Sequence, residues 1–429
     1  MRVVIISCVF PPEPIVSSRT SADVAQSLAA RGHTVDVITA FPSRPAGRLF
    51  PGTKRRWLAK EQSVDGYSIT RCFATVSPRS TLASRLLENL SLGVTGALAA
   101  LRGPRPDVLY VNTWPIVAAG LAAIVATLRG VPMVLSIQDV YPESLAAQGR
   151  PGMRSAVFNL LRRIDAAIAH RASAMSVPST SFRSIYEQTR GIPADCIHVV
   201  PNWGDVNEIR PNDPGAAAMR ERWGIADDAI VALYAGNVGV AAGMEGLITA
   251  MGHHDADNAY SLPRLVIAGA GTQLDPCRRL AAEYELPLVV HSPWLAEETS
   301  SVLAAADVLL LPTAGGQALA SVPSKLISYL LASRPIVAQV SPDSATAHTI
   351  RESGAGWIVE PGDDRGVHDA LRRVMAMPRE TLREIGERGR RYAVANFSRE
   401  QCLPRLIAVI ENAGRNTEPS TERNYAAPR

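Results

Sequence analysis

Cysteine is scarce and scattered: five residues, Cys8, Cys72, Cys196, Cys277 and Cys402, contain no CxxC pair. An odd count at such spacings indicates neither a disulfide framework nor a zinc site, and isolated buried thiols in a reducing compartment are the reading that remains. None of the eight histidines stands at the HxH or HxxxH spacing of metal ligands. The adjacent His253-His254 lies in a polar HHDAD stretch and reads as solvated, so no metal is expected. An excess of one charge is also missing, with 44 Lys+Arg against 40 Asp+Glu and a net charge of +4. That is too small for a whole-chain nucleic-acid footprint, and no nucleic-acid partner is expected. Long apolar runs are absent as well. The stretch Pro115 to Leu128 meets Arg129 before it could span a bilayer, and MRVVIIS runs into Pro11, Pro12 and Glu13 without a signal-peptide core. The chain therefore reads as cytoplasmic, with any membrane contact peripheral.

What is present is an ordinary globular composition, 47% hydrophobic and 20% charged over 429 residues, enough for two domains. Short β-branched runs alternate with helical patterns. In the first half VVIIS, TVDVIT, DVLYVN, PMVLSI and IHVVP read as strands, with helices over Thr20–Ala30 and Met153–Ala172. The second half adds AIVALYAG, RLVIAGAG, PLVVHS, DVLLLPT, PIVAQV and GWIVEP. Continuous rather than alternating apolar strands imply parallel sheets covered on both faces. The expected fold is α/β, two Rossmann-like doubly wound domains facing a central cleft. The boundary falls in the polar stretch Pro201 to Asp228. This gives a domain over 1–205, a second over 206–395, a C-terminal helix over 396–413 that returns to the first domain, and a polar disordered tail over 414–429.

Three segments carry candidate chemistry. Gly236-Asn237-Val238-Gly239, running on to Gly243, follows a strand and opens a helix, as a phosphate cradle or a plain tight turn would. Gly269-Ala270-Gly271 follows the next strand but lacks the third glycine of a dinucleotide fingerprint, which disfavours a nicotinamide cofactor. Ser324 and Lys325 sit on the opening turn of a helix after Pro323, where a lysine opposes the dipole preference and suggests an anionic partner. In the first half, Asp139 and Glu143 within QDVYPE follow a strand end and suit either acid–base work or helix capping.

Taken in order, PPE with Arg19, QDVYPE, PNW, GNVG with Gly243, IAGAG and SVPSK followed by RPIVA resemble the retaining glycosyltransferases of the GT-B fold, family 4. Among these the chain is most similar to bacterial exopolysaccharide and O-antigen enzymes that transfer fucose-type or N-acetylfucosamine-type sugars. The resemblance runs from Met1 to about Asn412. It implies a nucleotide-sugar donor, UDP- or GDP-linked, held by the second half, an acceptor held by the first, and no metal or other cofactor. It places Gly236, Asn237, Gly239 and Gly243 at the diphosphate with Lys325 and Ser324 beside it, Ser328 also among the donor-binding residues, and Gly271 and Trp294 near the base. Glu13 and Arg19 would face sugar and phosphate, with Asp139 and Glu143 at the reacting groups. There are departures. The family's two glutamates, eight positions apart, correspond to Ala320 and Ser328, and the cations of its phosphate loop to Asn237 and Ala242. Pro14 to Ser18 replace its paired glycines.

The acceptor side carries Arg44, Arg48, Lys54, Arg55, Arg56 and Lys60 among aromatics with no acid, followed by the apolar stretch Thr81–Leu101. That pattern suits an anionic membrane surface, at the inner face of the plasma membrane, and a glycan or lipid-linked acceptor. A solvated loop beside a packed helix gives the same pattern. Two other functions fit the sequence: a non-catalytic sugar-nucleotide-binding partner subunit, and a nucleotide-sugar epimerase of the same fold.

Overall fold

The computed structural model describes residues 1–79, 81–112, 116–143, 156–252, 262–314 and 324–415. The chain forms two compact units. One comprises Met1–Asp139, Asn159–Val200 and Leu403–Arg429, the other Val140–Phe158 and Pro201–Cys402.

The first unit is built on eight strands: β1 (Arg2–Ile6), β2 (Thr34–Ala40), β3 (Leu58–Gln62), β4 (Ser68–Cys72), β5 (Val108–Asn112), β6 (Met133–Ser136), β7 (Ala174–Val177) and β8 (Ile197–Val199). Their order is β3-β4-β2-β1-β5-β6-β7-β8, parallel except for the β3–β4 hairpin. All five positions of β5 and all four of β6 and β7 are buried, as expected of strands covered on both faces. The sequence reading missed β3, β4 and β7. β3 is an exposed edge strand (LAKEQ) without an apolar run, β4 carries Arg71, and β7 (AMSV) is short and small. The helix expected over Met153–Ala172 is described over Ala156–Arg171, its first residues lying outside the described segments. From Leu403 onward the last helix, Arg399–Arg415, belongs to this unit, where Glu411 meets His33 Nε2 at 2.9 Å.

The second unit holds all six expected strands: β9 (Val231–Ala235), β10 (Arg264–Ala268), β11 (Leu288–His291), β12 (Val308–Pro312), β13 (Ile336–Gln339) and β14 (Gly356–Val359). They form a parallel sheet in the order β11-β10-β9-β12-β13-β14. The order reverses between β9 and β12, and ligands of such sheets bind beyond the carboxyl ends at that point. Pairing there is short: only Ala232 and Leu233 of β9 are in register with β12. At the splayed end, the buried Tyr329 hydroxyl accepts from Ala235 N (2.8 Å) and donates to Ala235 O (3.2 Å). The helix Ser324–Leu331 thus supplies the hydrogen bonds that the departing strand does not.

Two arginines fix the far end of that helix. The Arg334 guanidinium donates to the carbonyls of Pro211, Ala304, Ala306, Ala332 and Ser333 at 2.7–3.2 Å. Arg390 donates to Leu331, Val206 and Ile209. Unpaired carbonyls collect at helix C-termini, and a planar five-donor cation satisfies several at once, which an ammonium cannot. Arg334→Lys is therefore expected to lower the unfolding free energy by about 2 kcal/mol in urea titrations. An unchanged midpoint and slope would remove Arg334 as an anchor.

Candidate functional site

The loops after β9, β10 and β12 meet at the switch point of the second unit. Gly236 N donates to Ala268 O (2.8 Å) and Val238 N to Ala270 O (2.9 Å), while Gln273 N returns to Val238 O (2.9 Å). Ala314 N donates to Ala241 O (3.2 Å), tying in the loop after β12. Four glycines here have positive φ and no room for a side chain: an added Cβ would stand 2.0 Å from Gly236 O at Gly269 and 2.3 Å from Val238 O at Gly271, and the other two are Gly236 and Gly243. Gly236 (φ 141°) lies under Lys325, whose Cε would stand 2.3 Å from an added Cβ. Gly243 (φ 66°) lies against Thr313, whose carbonyl carbon would stand 2.6 Å away. Asn237 is exposed on the loop, Gly239 is half-buried, and Gly271 packs against Val238.

Lys325 lies against Tyr234 and Gly236 at the end of β9, one turn before Tyr329 on the same helix face. Its ammonium donates to the Tyr234 hydroxyl and lies 4.4 Å from that ring's centroid. Tyr234 in turn donates to Asn237 O (2.6 Å). No carboxylate pairs with Lys325 among the described residues. Burial pushes its pKa down to about 8. The result is a half-buried cation with one donor used and two left, set over a glycine loop. The amine stays charged near neutrality and is poised to release its proton just above it. Tyr234 and Tyr329 were not found from the sequence, since each reads as one more apolar residue of its element; the KxxxY spacing is the only signal.

The other expected residues are placed variously. Ser324 opens the helix and Ser328 is half-buried one turn on, its carbonyl accepting from Ala332 N (2.9 Å). Ala320, Pro323 and His253-His254 lie outside the described residues, as does the tail beyond 415. Trp294 was expected beside a base. Instead it packs on the core cluster of its own unit, with its indole Nε1 buried and unpartnered.

In the first unit Glu13 also departs from expectation. It is 3% exposed and accepts from Phe10 N (3.1 Å), Ser43 N (2.9 Å) and Arg44 N (2.8 Å). Burial raises its pKa, with those N–H bonds opposing. A carboxylate so used stitches the loops after β1 and β2 together. Arg19 is exposed in the first turn of the helix Val16–Ala30, whose N-terminus has no side-chain cap. Asp139, three residues beyond β6, has no hydrogen bond or ion pair among the described residues. Burial raises its pKa. Glu143 is half-buried and belongs to the other unit.

The basic segment divides. Arg44 is buried and paired with Glu88 at 2.6 Å, so it is withdrawn from any membrane surface. Arg55 lies over Phe73 (4.5 Å), and Arg48, Lys54 and Arg56 are exposed.

Residues 17–203 match the model of the glycosyl transferase 4-like domain, and residues 216–392 that of the glycosyl transferases group 1. The putative colanic acid biosynthesis glycosyl transferase WcaI of Escherichia coli is 24% identical over 418 residues, covering 96% of this chain and all of that protein. Among solved structures, sucrose-phosphate synthase from Thermosynechococcus elongatus superposes with a TM-score of 0.74 at 17% identity, covering 96% of this chain and 98% of that one. Anabaena HepE, solved in complex with UDP, superposes at 0.68 with 14% identity, covering 96% and 100%. Both solved structures share this fold.

The chain holds three lysines, and Lys54 and Lys60 are exposed, so amine chemistry at Lys325 can be followed one residue at a time. Amine labelling read by mass spectrometry is expected to titrate at Lys325 with a midpoint near pH 8. In Tyr234→Phe, which deletes the accepting oxygen, the midpoint should move lower. A midpoint in the ordinary range near ~10.4 would show the amine solvated.

Proposed function

We propose a donor, an acceptor and a mechanism for a chain that belongs to the glycosyltransferases of the GT-B fold, with a 4-like first domain and a group 1 second domain. The donor is a nucleoside-diphosphate sugar, UDP- or GDP-linked, with its diphosphate on the loop Gly236–Gly243. The observation that carries this is Lys325: a carboxylate-free, half-buried ammonium with donors to spare, at the switch point where parallel sheets take their ligands. The hexosyl or deoxyhexosyl group passes to a glycan or lipid-linked acceptor held by the first unit, in bacterial cell-surface polysaccharide synthesis. The likeness to WcaI supports that setting.

Transfer with retention follows from these groups. The C1–O bond to the β-phosphate breaks through an oxocarbenium-like state, and negative charge grows on the leaving oxygen. Lys325 and the loop N–H groups stabilise that charge, where fixed donors in a water-poor site act most strongly. The leaving phosphate oxygen takes the proton of the acceptor hydroxyl, which attacks the same face of the sugar. No protein nucleophile is needed. Asp139, held toward its neutral form by burial and without a partner among the described residues, is read as orienting the acceptor hydroxyl.

Binding an anion favours protonated Lys325, so affinity for UDP or GDP should fall as pH rises past about 8, by up to about tenfold per unit. Thermal shifts with UDP, GDP and their sugars test this. One nucleotide is expected to stabilise the protein by about 2.7 kcal/mol at a hundred times its Kd. Lys325→Ala should abolish the shift, and Lys325→Arg should keep it without the pH dependence. No shift from any nucleotide would overturn the donor reading in favour of a non-catalytic partner subunit.

The acceptor side is read as resting on an anionic membrane. No helix among the described residues is long and apolar enough to cross one. The helix Leu82–Arg102, however, exposes Leu86 (57%), Leu87 (58%), Leu90 (46%) and Val94 (41%) along one stripe. Its Ser91 Oγ and Thr95 Oγ1 bond Thr75 N and Phe73 O, the segment on which Trp57 and Arg55 stack. An apolar stripe and an exposed cationic loop thus share one support, the pairing an interfacial site requires. Vesicles containing phosphatidylglycerol should sediment the protein at low salt, and vesicles of phosphatidylcholine alone should not. The double substitution Leu86→Gln with Leu90→Gln should release it. Equal recovery from both vesicle types would reject the membrane reading.

A further inference from the structure

The β3–β4 hairpin carries an aromatic surface that the transfer chemistry does not use. Leu58 of β3 stands opposite Cys72 of β4, and one step further Phe73 N donates to Trp57 O (3.0 Å). The Trp57 and Phe73 rings stack, with centroids 5.5 Å apart and planes 20° from parallel. The Arg55 guanidinium lies 4.5 Å from the Phe73 centroid and donates to Ala74 O (3.0 Å). Phe73 O accepts in turn from Thr95 Oγ1 (2.8 Å) of the helix Leu82–Arg102.

Trp57 is nonetheless 61% exposed, and no other Phe, Tyr or Trp among the described residues is exposed. With one face of the indole on Phe73, that exposure leaves the opposite face to solvent. An indole already fixed by its neighbours offers contact area at little further entropic cost, whereas scattered exposed aliphatic residues are ordinary. The charge around it has one sign. Residues 41–60 and 72–87, which build the surface, contain no acid. Lys54, Arg56 and Arg79 are exposed there. The acids that follow the two segments are committed elsewhere: Glu61 meets Arg71 at 3.1 Å, and Glu88 meets Arg44 at 2.6 Å and Arg85 at 3.1 Å.

A π face attracts the C–H face of a pyranose ring, and guanidinium and ammonium groups beside it pair with a carboxylate. Single-stranded nucleic acid stacks successive bases on successive rings, and a single exposed ring does not serve it. A lipid surface takes up apolar side chains, which the helix Leu82–Arg102 presents as Leu86 and Leu90. A ring clamped flat on its neighbour suits a flat ligand instead. We propose that Trp57 is the stacking platform for the saccharide acceptor, and that the sugar it takes bears a carboxylate matched to these cations. The inference rests on the glycan-acceptor reading above and gives that acceptor a class, an acidic oligosaccharide.

Titration calorimetry with hexagalacturonate and with maltohexaose, an acidic and a neutral oligosaccharide of equal length, tests the platform. The wild type should bind the acidic one at least about tenfold more tightly. Trp57→Ala should weaken it by at least about tenfold, and Trp57→Phe, which keeps a ring, by less. Lys54→Ala with Arg56→Ala should remove the preference for the acidic oligomer. Sedimentation with phosphatidylglycerol vesicles should be the same for Trp57→Ala as for the wild type. If hexagalacturonate does not bind at millimolar concentration, or binds wild type and Trp57→Ala alike, the platform is not a saccharide site. Equal affinity for the two oligomers would reject the carboxylate. If Trp57→Ala loses the vesicles and keeps the oligomer, the surface is a membrane anchor and the proposal falls. The donor reading is tested by nucleotides alone, so either result can fail while the other stands.

Discussion

A cation held out of water next to a strand end governs the architecture of the second unit. Lys325 can remain an ammonium there only because the Tyr234 hydroxyl and ring face it, and because residue 236 has no side chain to block its stem. Tyr329, four residues on, closes the unpaired end of β9. The same short pairing between β9 and β12 that creates a ligand crevice thus requires both residues, one to repair the backbone and one to fill the opening. Desolvation there disfavours the charged form, which is why the amine titrates well below an ordinary lysine.

The division of labour between the two basic residue types follows from their chemistry. Arginine does the structural work: Arg334, Arg390 and Arg220 each gather several backbone carbonyls near helix ends or turns. Arg44 and Arg190 lie in buried ion pairs with Glu88 and Asp165. A guanidinium stays charged through all this, whereas an ammonium gives up its proton when desolvated. Of the three lysines, only Lys325 is withdrawn from the surface; Lys54 and Lys60 are exposed.

The second sheet was legible because its strands are uninterrupted apolar runs bounded by glycine or proline, the signature of burial on both faces. The first sheet was legible only in part. An edge strand such as Leu58–Gln62 is polar by necessity, and Ala174–Val177 is too small to stand out. Lys325 could be singled out because a cation on an opening helical turn violates a local preference. Glu13 was misassigned because its three N–H partners include Ser43 and Arg44, thirty residues away, and no local pattern encodes that. Arg44 seemed to belong to an exposed basic run until Glu88 claimed it.

The sequence resemblance sets the two acids of its pattern against Ala320 and Ser328, and its two loop cations against Asn237 and Ala242. Neither pair of positions carries a charged side chain in this chain, so the two differences offset each other in charge. What remains is one fixed cation, recessed at the strand end rather than carried on the loop, and acting at close range in a poorly hydrated setting. A single desolvated charge interacts with a diphosphate more strongly than a solvated one at the same distance, because less water screens it.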